Sequence, residues 1–226
     1  MTWQNIYKKY PFPFSWLERY NLKNADYAIA GNESISNILV RKGFDKERIS
    51  LIPLGTDTLL FRKMDSTELR SRLRLEVFTI GYLGRLVEEK GILDLLNCMD
   101  CIVLPSRTTK KWKEQFGRVL TEAMSCEVPV VGSDCGEIPN VLGDCGLIFK
   151  EGCVDDLSSK IKLLLNNKDL RMELSKKGRQ RVLDNFTQEI VARETYKIYQ
   201  KMIYRKKAQK TQINNSERSS GNISIV

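Results

Sequence analysis

Between Ala25 and Phe149 short apolar runs alternate with segments of helical periodicity, and this alternation restricts the fold more than any other feature. "ADYAIAGN" (25–32) reads as a buried strand, "ESISNILVRKG" as a helix closed by Gly43, and "ISLIPLG" as a second strand ending at Gly55. Next come strand-like "FTIGYLG", helical "KGILDLLN", strand-like "CIVLPS", helical "GRVLTEAMS", strand-like "VPVVGSD", a helical turn "GEIPNVLG" and a last strand, "CGLIF". Apolar strands separated by helices predict an α/β, Rossmann-like parallel sheet with helices on both faces. The remainder reads as helical: "VDDLSSKIKLLLNN" opens on acids suited to a helix N-terminus, and "DLRMELSKKGRQRVLDNF" and "TQEIVARETYKIYQKMIY" follow.

The ends read differently. Residues 1–24, with two prolines and clustered aromatics, resemble a connector or the end of a helix. From about Arg205 the apolar content falls below what a core needs, so residues 205–226 are expected to form a disordered basic tail.

With 226 residues the chain suits one α/β domain with appendages rather than two complete domains. It has no run of 18 apolar residues and no charged-then-apolar leader, which predicts a cytoplasmic protein without a membrane span. Most of the net charge of +9 is local: from Lys197 onward seven Lys or Arg face the single acid Glu217, giving +6. Such a tail argues against a specific nucleic-acid groove; it is either solvated or a peripheral contact to acidic lipid at a membrane surface. Six cysteines without a histidine include one CxxC pair, Cys98 and Cys101, but no second pair to complete a zinc site. Cys101 opens the apolar run "CIVLP" and reads as a small core residue.

In an open parallel sheet, ligands bind beyond the carboxyl ends of the strands, where loops enter helices. Loops after Leu83, Leu104, Val131 and Phe149 are expected there. The first carries Arg85 and Lys90 beside a glycine-opened helix. The second leads to "EQFGRVLTEAM", where Gly117 lets backbone amides approach an anion. A diphosphate suits both. Glu114 and Glu122, eight residues apart, fall on the loop and about two turns into its helix, so both can face the same crevice. Carboxylates beside a phosphate clamp make sense as acceptors from polyol hydroxyls, such as those of ribose and a sugar ring.

The strings "ISLIPLGTDTLLF", "GYLGRLVEEKGI", "DCIVLPS", "EQFGRVLTEAM", "PVVGSDCGEIPNVLGDCGLIF" and "DDLSSKIKLLLNN", in this order, resemble the C-terminal, donor-binding domain of the family-four retaining glycosyltransferases of GT-B type, also known as glycosyl transferases group 1. The resemblance runs from about Asn24 to Ile203. It implies a donor diphosphate held by Arg85 and Lys90 with the Phe116 and Gly117 amides nearby. It further implies Glu114 as the catalytic residue meeting the donor sugar, and Glu122 as the ribose-binding carboxylate. The implied reaction moves a hexose from a UDP- or GDP-sugar to an acceptor with retention, needing no cofactor and no metal.

Against that family the chain is expected to be truncated and internally deleted. Residues 1–56 read as a remnant of the N-terminal domain plus the interdomain connector near Pro53–Asp57, and 57–204 as the donor-binding domain with its C-terminal helices. Between "KGILDLL" and "NCMDCIVLPS" about two strands of the family pattern are missing. The remaining strands are expected to pair side by side with "FTIGYLG" as a new edge, and Gly91–Asp100 to form the whole crossover, placed by its handedness on the face opposite to the family's first helix. Glu127 stands at a loop where the family often has glycine. The resemblance thus implies either a split enzyme, whose acceptor half is another polypeptide, or a non-catalytic nucleotide-sugar-binding subunit or remnant, and the uncovered apolar face of the last helix predicts a partner or self-association.

Overall fold

The computed structural model describes residues 12–82, 99–109 and 112–220. The expected helix "KGILDLLN", the crossover up to Cys98, and both Arg85 and Lys90 lie outside the described residues. Helix α1 (Phe14–Asn24) leads to strand β1 (Ala28–Ala30), helix α2 (Glu33–Arg41) and strand β2 (Ile49–Leu51). After a short helix α3 (Thr67–Arg72) come β3 (Ile80–Tyr82), β4 (Cys101–Leu104), α4 (Arg118–Ser125), β5 (Val130–Ser133), α5 (Ile138–Leu142) and β6 (Leu147–Phe149). Helices α6 (Val154–Asn166), α7 (Lys168–Asn185) and α8 (Gln188–Ser220) close the chain.

The strands form two parallel sheets, β1–β2 and β3–β4–β5–β6. Among the described residues β3 is therefore an edge strand of the larger sheet, with Ile80 exposed. Every residue of β4 and β5 is buried, which explains why both read as unbroken apolar runs. Successive side chains point to opposite faces. Ile102, Leu104 and Val130 join Leu120, Met124, Ile138, Leu142 and Val182 on one face. Cys101, Val103 and Val131 join Phe149, Leu164 and Leu174 on the other. Burial, with Asp100 beside it, pushes the Cys101 thiol up to about 12, the state of an inert core residue.

Three local outcomes refine the sequence reading. Of the two readings of residues 1–24, a connector or the end of a helix, Phe14–Asn24 takes the helical one, with no buried residue and with Trp16 stacked on Tyr20. Helix α8 continues to Ser220, past the Arg205 at which the sequence reading places a disordered tail. Lys, Ala, Gln and Glu between 206 and 217 favour helix without requiring an apolar face, so low hydrophobicity did not end the element. Glu127 sits in the left-handed region at φ 59, a conformation that favours glycine, and there it ion-pairs with Lys63 at 2.9 Å.

The connector is pinned at its centre. Thr56 pairs with Thr187, donates its amide to the Phe186 carbonyl and joins its hydroxyl to Thr121 in a buried contact of 2.7 Å. Helix α8 then runs back to the β1–β2 unit: Ile198 is buried there, and the Lys201 ammonium lies over the Tyr27 ring. No helix of the described residues is long and apolar enough to cross a membrane.

Candidate functional site

The loops leaving β4, β5 and β6 at their carboxyl ends meet around residues 105–117, where switch-type α/β folds bind ligands. The β4 loop is fastened from below: Ser133, the last residue of β5, donates its hydroxyl to the Ser106 carbonyl at 2.7 Å. Ser106 in turn donates to Glu114 Oε2 at 3.3 Å. The other oxygen of Glu114 accepts from the amides of Gln115 at 3.1 Å and Gly117 at 3.2 Å. A carboxylate accepts about four hydrogen bonds. Glu114 therefore keeps an acceptor position for an incoming hydroxyl while its orientation is set by its own loop.

Gly117 is the N-cap of α4, with φ 75. The left-handed turn there brings Glu114 back over the helix start, so the Gly117 amide is occupied by Glu114 in this structure. The Phe116 ring is buried and packs edge-on against Phe186 at 5.6 Å, anchoring the loop to the core. Glu122 lies on α4, with its side chain 16% exposed and 3.9 Å from the Arg118 guanidinium. Burial pushes its carboxyl above the ordinary value, and Arg118 partly offsets this. Glu114, Phe116 and Gly117 are thus gathered in one loop with Glu122 on the helix it opens.

The β5 loop supplies a contact that sequence reasoning missed. Gly136 has φ 61, and a Cβ there would stand 2.1 Å from the Glu114 carbonyl oxygen, so the two loops touch backbone to backbone only because residue 136 is glycine. The next residue, Glu137, is buried, and its amide donates to that same carbonyl at 3.1 Å. The signal was present as a lone acid in the apolar turn "GEIPNVLG", at the carboxyl end of a buried strand. At the β6 loop, Glu151 accepts from the Thr108 amide at 2.8 Å, and hydrogen bonds from Thr108 hold its carboxyl below the ordinary range. Arg107, exposed beside Gly152, adds a cation to this rim, and its charge also favours the Glu151 carboxylate.

These features define a class: an α/β fold of parallel sheets with flanking helices, presenting carboxylates and cations at the strand-end crevice. The fold is shared with solved structures, among them a glycosyltransferase from Rickettsia africae, with a TM-score of 0.72 over 86% of this chain and 68% of that one at 17% identity. Anabaena HepE in complex with UDP superposes with a TM-score of 0.75 over 88% of this chain and 71% of that one, at 17% identity. Residues 92–181 match the family model of glycosyl transferases group 1. Among curated relatives, the capsular polysaccharide biosynthesis glycosyltransferase CapM of Staphylococcus aureus is 25% identical over 81% of this chain and 63% of its own length. The N,N'-diacetylbacillosaminyl-diphospho-undecaprenol alpha-1,3-N-acetylgalactosaminyltransferase of Campylobacter jejuni is 34% identical over 57% of this chain and 33% of its own. The chain thus spans a third to just under two thirds of the length of these two relatives.

Proposed function

We propose that this chain is the donor-binding part of a glycosyltransferase that takes a hexose from a UDP- or GDP-sugar and transfers it to an acceptor with retention of configuration. The observation that carries the reading is the Glu114 carboxylate, held by three donors from its own loop at the strand-end crevice with an acceptor position left over. Glu114 meets the donor sugar, and Glu122 takes the ribose hydroxyls from α4. Arg85 and Lys90 neutralise the diphosphate as its bond to the sugar breaks, while the Gly117 amide stays on Glu114. Residues 57–204 form the donor-binding domain. The β1–α2–β2 unit belongs with the acceptor-side half.

Two findings support this reading: the family match over residues 92–181, and the shared fold with HepE, whose solved complexes contain UDP and, separately, UDP-glucose. Its test is ligand-induced stabilisation. A nucleotide present at 100 times its Kd raises the unfolding free energy by about 2.7 kcal/mol. UDP or GDP, and the matching nucleotide sugar, should raise Tm by several degrees while inorganic phosphate does not. A melting curve unmoved by every nucleotide contradicts the proposal.

A further inference from the structure

The start of α2 grips the crevice loop. Asn32 caps α2 by accepting from the Ile35 amide at 2.8 Å, and its Nδ2 donates to the Gln115 carbonyl at 2.7 Å. Two residues on, the Ser34 hydroxyl donates to Glu137 Oε1 at 2.7 Å, while Asn140 Nδ2 donates to Oε2 at 2.8 Å. Glu137 is 6% exposed and passes the contact on, since its amide holds the Glu114 carbonyl at 3.1 Å. The carbonyls of Glu114 and Gln115 are thus both tied to the β1–α2–β2 unit, one through Glu137 and one through Asn32.

Capping α2 needs only Asn32 Oδ1. The remaining contacts join segments 83 and 103 residues apart and converge on the peptide that carries the candidate sugar-facing carboxylate. A hydroxyl donating to a buried carboxylate forms one of the stronger protein hydrogen bonds, and its removal leaves that oxygen short of a partner.

From this we infer that Ser34 and Glu137 are positioning residues: they fix the 114–117 loop and, through it, the direction of the Glu114 carboxylate. The functional part of this inference rests on the proposed role of Glu114 toward the donor sugar.

Two measurements on the full chain test it. Hydrogen exchange without ligand should show the Gly117 and Glu137 amides exchanging roughly tenfold faster in Ser34→Ala, with β5 unchanged and protection restored in Ser34→Thr. In parallel, Ser34→Ala should weaken UDP-glucose or GDP-mannose binding about tenfold while leaving UDP or GDP binding unchanged, because only the sugar meets Glu114. Unchanged exchange in Ser34→Ala overturns the inference, as does an equal loss of sugar nucleotide and plain nucleotide. An intact chain that binds no nucleotide instead contradicts the donor-site proposal, and the exchange data then decide the positioning of the loop.

Discussion

Glu122 experiences two opposing influences, burial that disfavours its charge and Arg118 that favours it, and burial is the larger. As pH rises, the unfolded chain releases this proton first. The group therefore costs the fold stability progressively from the ordinary carboxyl value of 4.5 up to its raised native value, and by a constant amount above that. Glu122→Gln is expected to melt above the unsubstituted chain at pH 7, with the gap closing at acid pH. Thermal unfolding at both pH values checks this, and equal melting at pH 7 contradicts it. Gly136→Ala should be far more harmful, because its Cβ meets backbone rather than a side chain that can turn away. A loss of about 2 kcal/mol or more in urea unfolding is expected from strain and clash together. At Glu127 the left-handed strain of roughly 1–2 kcal/mol offsets the entropic cost of glycine and the loss of an exposed ion pair. Glu127→Gly should stay within about 1 kcal/mol of the unsubstituted chain, whereas β-branched Glu127→Val should lose more.

At the scale of elements, α2 shows how local chemistry and long-range contact combine. Its cap, Asn32, also holds the crevice loop, so Asn32→Ala should cost more than the roughly 1 kcal/mol typical of a lost N-cap; a smaller loss in urea unfolding would show the Gln115 contact to be idle. The helix itself was legible in the sequence from "ESISNILVR" to Gly43 behind it, whereas Asn32, its cap, was read as the end of the preceding strand. The buried strands were legible because β4 and β5 are apolar on both faces. Helix α1 was legible only as one of two alternatives, because the two prolines and clustered aromatics also suit a connector and none of its side chains is buried to create a periodic stripe. The extension of α8 was missed for a related reason: helix propensity, not amphipathicity, sustains it past Arg205. Within the site, spacing was sufficient to place Glu114 and Glu122 on one loop and its helix. The grip of Ser34 and Glu137 depends on segments that meet only in three dimensions.

For the whole molecule, the β1–β2 sheet has two strands among the described residues, fewer than an independent sheet normally needs, and parallel strands ordinarily lie within larger sheets. Large apolar side chains are exposed on both α1 (Phe14, Trp16 and Tyr20) and α8 (Tyr196, Tyr199, Ile203 and Tyr204). Exposed apolar surface of this kind favours association. Light scattering of the purified chain should show self-association, and Trp16→Ser with Tyr199→Ser should reduce it; a clean monomer before and after substitution contradicts that expectation. The central claim is that the strand-end crevice holds a nucleotide diphosphate and its ribose. Calorimetric titration of the chain with UDP and GDP, alongside Arg85→Ala and Glu122→Ala, tests it most directly. One nucleotide should bind, with affinity lost about tenfold or more in each variant. Absence of binding by the intact chain, or binding indifferent to both substitutions, would contradict it.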